Sequence, residues 1–240
     1  MKPALFKAAL LFSLVLVFSA CSHSGGSQQD EHSGDLVRVG QLPPALTDGE
    51  ISFEQAIFNR SSVRRFSEQQ LSLQQAGQLL WAAQGLSVDG ISSSTRTAPS
   101  AGATHPMEIY LAAGSVEGLD PGLYRYDYLN HGLEMLLPQD IRDDLARAAL
   151  NQSFIADAPV SIILAAEYER TTSRYGDRGV RYVHMEVGHI TQNILLQAEA
   201  LNLGALAVGA FNDQEVKTLL NIAEEPLMII PAGEAATGSQ

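Results

Sequence analysis

Residues 182–203 read YVHMEVGHITQNILLQAEALNL, and the rest of the chain arranges itself around this stretch. Val183, Val187, Ile190, Ile194, Ala198 and Leu201 recur at helical spacing with no proline among them, which predicts one long amphipathic helix over Tyr182–Leu203. Upstream, Ala158–Ala166 carries Val160, Ile162, Ile163 and Leu164 as a continuous apolar run, the pattern of a strand buried on both faces and therefore central in its sheet. Met107–Ala113 reads as another strand. Leu123–Tyr128 and Leu133–Leu137 flank Asn130-His131-Gly132 as a hairpin.

Helices are marked by their ends. Ser52-Phe-Glu-Gln55 and Ser72-Leu-Gln-Gln75 have capping-box spacing, and the second helix is expected to stop at Gly85 with that glycine in the left-handed position. Asp140 opens a helix to about Leu150, Gly204–Phe211 is a glycine-rich turn and strand, Asn212 opens a helix to Leu220, and Leu227–Ile230 closes the fold as a strand. Helices and strands alternate too irregularly for a βαβ protein, so the class is α+β.

The first 20 residues carry Lys2 and Lys7 before an apolar run, Ala8–Phe18, that is too short to span a bilayer but suits an export signal. Cys21, the single cysteine, follows Phe18-Ser19-Ala20. This resembles a bacterial lipobox, which implies cleavage before Cys21, acylation of its thiol and anchoring to the cell envelope, at the outer membrane in a Gram-negative cell. The alternative is a stray cysteine beside an ordinary cleavage site. Residues 21–49, rich in Ser, Gly, Gln, Asp and Pro, read as a tether, 50–234 as the folded domain and 235–240 as a tail. Loss of the leader removes two lysines and no acids, taking the formal charge from −12 to −14, so nucleic acid is excluded as a partner class.

Two short stretches carry polar chemistry. In Asn59-Arg-Ser-Ser-Val-Arg-Arg-Phe66, extended backbone aims Arg60, Ser62 and Arg64 to one side, and two guanidiniums with a hydroxyl suit a phosphate. A solvated basic turn is the competing reading. RTAPSAGATHP, residues 96–106, has too little apolar area for a core but can let backbone approach a flat ligand, or be an ordinary surface loop.

Together with Leu203-Gly-Ala-Leu-Ala-Val-Gly-Ala-Phe211, these stretches resemble the FMN-dependent nitroreductase family. RTAPSAGATHPMEIYL, GLYRYD, RYGDRGVRYVHMEVGHITQNILLQAEALNLGA and PLMIIPAG resemble its SagB-type dehydrogenase branch. The resemblance implies a three-layer α+β fold with a mostly antiparallel central sheet flanked by helices, and a homodimer with FMN at the interface where the long helix packs. It implies that Arg60, Ser61, Ser62 and Arg64 hold the phosphate and ribityl chain. Pro99, Ser100, Ala101 and Gly102 would lie along the isoalloxazine, their small size making room for it. Backbone N–H groups of Val208, Gly209 and Ala210 would face the N5 and O4 edge. NAD(P)H or another donor and a small-molecule or peptide substrate are the implied partners.

Departures from the family are specific. Ala103 and His105 stand where wider relatives have Asn and Gln, and residues 231–240 offer no cation where many relatives place one on the phosphate. The catalytic Lys-Tyr pair of azoline-oxidising members corresponds to Arg174 and Tyr175. Arginine stays charged and cannot be a neutral base, whereas Tyr175 can donate or accept a proton. His184 and His189 flank Glu186, but five positions on a helix is about 140° past a full turn, so the imidazoles diverge and no metal is expected. Against an FMN-dependent oxidoreductase working by alternating two-electron half-reactions stands a non-catalytic ligand-binding or scaffold module with a degenerate flavin site.

Overall fold

The computed structural model describes residues 37–87 and 95–236. Lipidation at Cys21 and the leader lie outside them. The strands are β1 Val37–Gln41, β2 Met107–Ala113, β3 Gly122–Asp127, β4 Gly132–Leu137, β5 Val160–Ala166, β6 Gly204–Ala205 and β7 Glu225–Gly233. The helices are α1 Phe53–Asn59, α2 Leu73–Gln84, α3 Arg142–Ala148, α4 Phe154–Asp157, α5 Glu169–Tyr175, α6 Arg178–Ala200 and α7 Asp213–Leu220.

The strands form one sheet in the order β1-β4-β3-β2-β5-β7-β6, with every paired neighbour antiparallel. As the apolar run predicts, β5 is internal and every one of its residues is buried. Its two sets of side chains enter different cores. Ile162 and Leu164 meet Leu79, Leu80, Val183, Ile190 and Ile194 from α2 and α6, while Ile163 and Ala165 meet Leu145, Ile155, Val216 and Leu220 from α3, α4 and α7. The result is three layers, helices on each face of the sheet.

Both capping boxes form as spaced, Ser52 with Gln55 and Ser72 with Gln75, each worth roughly 1 kcal/mol to its helix. Gly85 does end α2, but its backbone is extended (φ −63°, ψ 163°), not left-handed. Its glycine is needed for space, since a Cβ there would sit 2.1 Å from the Trp81 ring. The long helix runs from Arg178 to Ala200, starting four residues earlier than periodicity predicts, and α5 precedes it across a Gly176 turn at φ 55°. Asp177 and Arg178 open that helix.

Folded structure also extends into the predicted tether. β1 pairs with β4, Leu42 is buried, and Gln78 of α2 bonds the Leu46 backbone on both its N–H and C=O, so residues 37–49 belong to the domain. β7 is longer than Leu227–Ile230. Beyond it the chain stays attached, with the Ala236 N–H donating to the Arg65 carbonyl at 3.0 Å.

Candidate functional site

The arginine stretch begins where α1 ends. Arg60 leaves the helix with a non-helical backbone (φ −49°, ψ 122°), Ser62 bridges in parallel to Ala205, and the Val63 N–H donates to the Ala205 carbonyl at 3.2 Å. Gly204 permits this approach, because a Cβ there would lie 2.6 Å from the Val63 Cβ. With Val63 turned toward the protein, Ser61, Ser62 and Arg64 are left exposed and Arg60 half-buried. Among the described residues, the guanidiniums of Arg60 and Arg64 have no ion-pair partner.

The glycine-rich segment lies beside them. After β6 it follows β7 and is fixed at Val208, whose N–H donates to the Ile229 carbonyl at 2.8 Å. That bond corrects the expectation for Val208: its N–H is engaged inside the sheet and cannot face a ligand. Gly209 and Ala210 are exposed, and among the described residues their N–H groups have no partner, while the Ala210 carbonyl accepts from Gln152 Nε2 at 2.8 Å. The C-terminal chain runs past the arginine stretch through Ser67 N–H to the Glu234 carbonyl, 2.8 Å, and brings a carboxylate side chain, not a cation.

The third stretch stands apart. Pro99–Gly102 leads into β2, and β5 and β7 lie between β2 and β6, so three strand spacings, about 14 Å, separate the strand that carries this loop from the glycine-rich segment. Three of its residues hold positive φ, Gly102 at 60°, Ala103 at 54° and His105 at 45°, a conformation that must be held by its surroundings. The holds are visible. The His105 N–H donates to Ser100 Oγ at 2.9 Å, Arg170 donates to the His105 carbonyl at 3.2 Å, and Arg174 donates to the Gly102 carbonyl at 3.0 Å. A Cβ on Gly102 would lie 2.4 Å from Tyr175 Oη and 2.8 Å from the Arg174 guanidinium. Here the reading of small size as room for a flavin is corrected, since at Gly102 the room is filled by Tyr175 and Arg174. Those two, with Tyr182 packed edge-on to Tyr175 at 5.1 Å, are thereby brought against the loop.

Beneath the loop lies a group that sequence reading missed. Glu186 of α6 is 2% exposed and accepts from Gln84 Nε2 at 3.3 Å, and Arg96 donates to Gln84 Oε1 at 2.5 Å. Burial pushes the Glu186 carboxyl up to about 7, while the facing Ser100 hydroxyl and the Arg96 charge pull it the other way. Arg96 is itself clamped, its guanidinium 3.6 Å above the Tyr128 ring. The missed signal is spacing: Glu186 is three residues after Val183 and four before Ile190, an acid on the apolar stripe. His184 instead bonds Tyr168 Oη at 2.6 Å, and no cluster of three or more metal-ligating side chains occurs among the described residues.

The fold is a three-layer α+β one, with the arginine stretch at one sheet edge and a braced small-residue loop leading into β2. The Nitroreductase family profile matches residues 57–234, and the chain belongs to that family. It is 44% identical over 200 residues to a Methanocaldococcus jannaschii protein bearing a provisional nitroreductase name, covering 83% of this chain and 98% of that one. The trifolitoxin operon protein TfxC of Rhizobium leguminosarum is 24% identical over 191 residues, 74% of this chain but 54% of its own length. A solved structure from Ralstonia eutropha, also provisionally named a nitroreductase, superposes with TM-score 0.69 at 27% identity, covering 82% of this chain and 89% of that one.

Proposed function

We propose that this protein is an FMN-dependent oxidoreductase that passes electron pairs between a donor and an organic substrate in alternating half-reactions. The carrying observation is the arginine stretch, whose Arg60 and Arg64 guanidiniums have no ion-pair partner among the described residues, joined through the Ser62–Ala205 bridge to the segment that bears the open N–H groups of Gly209 and Ala210. This donor set fits a flavin mononucleotide, with cations for its phosphate and main-chain dipoles for the ring edge that gains negative charge on reduction. When bound, FMN supplies the two-electron chemistry, and the protein supplies position, electrostatics and proton control. Arg60, Ser61, Ser62 and Arg64 bind the phosphate end. Tyr175 holds a transferable proton at Oη, and Arg174, always charged, keeps the Gly102 carbonyl and the tyrosine in place.

The loop carrying Pro99, Ser100, Ala101 and Gly102 reaches the ring from a second copy of the chain. Support comes from its separation from the glycine-rich segment and from the apolar side chains that α1 leaves uncovered: Phe53 is 65% exposed, Ile57 51% and Phe58 89%. Acylation at Cys21 would hold the dimer at the envelope. No described helix is long and apolar enough to cross a membrane. Replacing Cys21 by Ser should leave the protein unacylated, which mass spectrometry of the mature chain reads directly.

The deciding experiment is the visible spectrum of the purified protein, with the cofactor released by denaturation identified chemically. FMN that is bleached by NADPH supports a reductase fed by pyridine nucleotide, and FMN bleached only by dithionite supports another donor. A colourless protein that free FMN does not reconstitute supports the alternative, a binding module with a degenerate flavin site.

A further inference from the structure

We propose that a cavity beside the two ends of the small-residue loop binds a small organic monocarboxylate through the Arg96 guanidinium. None of the residues assigned above to the flavin lines this cavity, and neither do Arg174 and Tyr175. The proposal therefore stands apart from the FMN reading.

The cavity has a volume of about 290 Å³. Gln84 enters its wall from the end of α2, Arg96 from the segment before the loop, Glu108 from β2, Tyr126 from β3, Tyr128 from the turn that follows and Arg170 from α5. At a liquid volume of about 30 Å³ per water, the space equals on the order of ten waters. That is too small for a nucleotide and suits an acid of a few carbons.

The charges on the wall do not balance. Arg170 and Glu108 cancel each other, Nη2 to Oε1 at 2.7 Å, and Arg170 directs further donors to Glu167 at 2.6 Å and to the His105 carbonyl at 3.2 Å. Arg96 has no carboxylate at ion-pair distance among the described residues. Its Nη1 donates to Gln84 Oε1 at 2.5 Å, and Gln84 Nε2 donates to Glu186, so an amide stands between that acid and the cation. Tyr128 covers one face of the guanidinium at 3.6 Å. On the remaining edge Nε is buried with no hydrogen-bond partner, and Nη2 is unpartnered but accessible. Burial pushes the Arg96 guanidinium down from its ordinary pKa, and Tyr128, Glu108 and Glu186 offset this only in part. Arginine keeps its proton all the same, so the electrostatic demand of this wall is for an anion at Nη2.

The surroundings choose among anions. One uncompensated positive charge matches a monoanion, whereas a phosphate, near −2 at neutral pH, would set excess negative charge beside Glu108. A carboxylate is planar and matches the guanidinium edge. Met107 and Ile109, each 2% exposed, add an apolar part to the lining that suits a short alkyl group. Tyr126 presents its ring, because its hydroxyl is already bonded to His131 Nδ1 at 2.8 Å. A ligand held here would touch both ends of the loop, Arg96 before it and Met107 after it.

The test is calorimetric titration of the purified protein with lactate and with lactamide, its uncharged amide. Expected is a lactate dissociation constant of about a millimolar, with lactamide weaker by roughly tenfold or more. Arg96→Lys keeps the charge and loses the planar edge, so it should weaken lactate by roughly tenfold as well. Arg60→Ala with Arg64→Ala should bind lactate as the wild type does, which separates this site from the exposed arginines. Should Arg96→Lys fail to fold, the wild type still gives the location: nuclear Overhauser contacts from the lactate methyl should reach the Met107 and Ile109 methyl groups. No lactate binding at tens of millimolar, equal binding of lactamide or inorganic phosphate, or loss of binding in the Arg60 and Arg64 variant alone overturns the proposal. Lactate binding to a protein that takes up no FMN would leave this site standing and remove only the flavin reading.

Discussion

The two halves of the candidate site are built on opposite plans. At the arginine half the functional groups are wholly or partly exposed and, among the described residues, unpartnered: Arg60 and Arg64 have no carboxylate, and Gly209 and Ala210 have open N–H groups. At the loop half polar groups already have internal partners, from Arg174 on the Gly102 carbonyl to the His105 N–H on Ser100 Oγ. An anion-binding end gains from waiting cations, because a charged ligand supplies the missing half of each bond. A surface that must lie flat against a ring gains instead from being rigid before the ring arrives. The first half should therefore respond to mutation through ligand affinity and the second through the fold.

The largest effect should come from Arg60→Ala combined with Arg64→Ala. Loss of two charge-assisted contacts is expected to weaken FMN binding on the order of 100-fold or more, with the melting curve of the ligand-free protein nearly unchanged. Equal affinity in a flavin-fluorescence titration would remove these residues from the phosphate site. Gly102→Val attacks the other half. A β-branched residue at φ 60°, with its Cβ 2.4 Å from Tyr175 Oη, should destabilise the protein by about 2–3 kcal/mol in denaturant unfolding. A wild-type unfolding midpoint would mean that the loop is not braced.

Glu186→Gln should come next, and its sign depends on pH. The folded-state value of about 7 exceeds the roughly 4.3 of an unfolded glutamate, so the native state holds the extra proton between them and loses stability as pH rises through that window. The neutral variant avoids that loss. Allowing for residual solvation, it should be more stable than wild type by about 2 kcal/mol at pH 8, with most of the difference gone by pH 5. A variant less stable than wild type at pH 8 would contradict the burial argument. The smallest effect belongs to Gly209→Ala, where nothing lies within 4 Å of the added Cβ. Stability should change by less than about 0.5 kcal/mol, so any loss of flavin affinity in that variant reports contact with the ligand alone.

These contrasts also bear on cost. A buried, partly charged acid under a loop at positive φ opposes stability twice in one place. Local conflict of this kind, inside a domain whose caps, strands and apolar stripes are otherwise consistent, is expected where geometry serves binding.

The sequence by itself determined the elements whose signals are local. Capping boxes at Ser52 and Ser72, the apolar run of β5, the hairpin around residues 130–132 and the stripe of α6 are all set by spacing along a few turns or a few residues, and they formed as spaced. The alternation of Arg60, Ser62 and Arg64 is likewise a local signal, an expectation that extended backbone puts them on one side. Only the tertiary structure decided the rest. The conformation of Gly85 depended on the Trp81 ring folding over it, and the use of Gly102 on Tyr175 arriving from α5, more than 70 residues along the chain. The Val208 N–H was claimed by Ile229, and residues 37–49 became part of the domain only because β4 offered a free edge and α2 a side-chain amide. Glu186 is the plainest case: an acid at position 186 is ordinary in the sequence. Its charge became a constraint only when α2, α6 and the loop closed around it and excluded water.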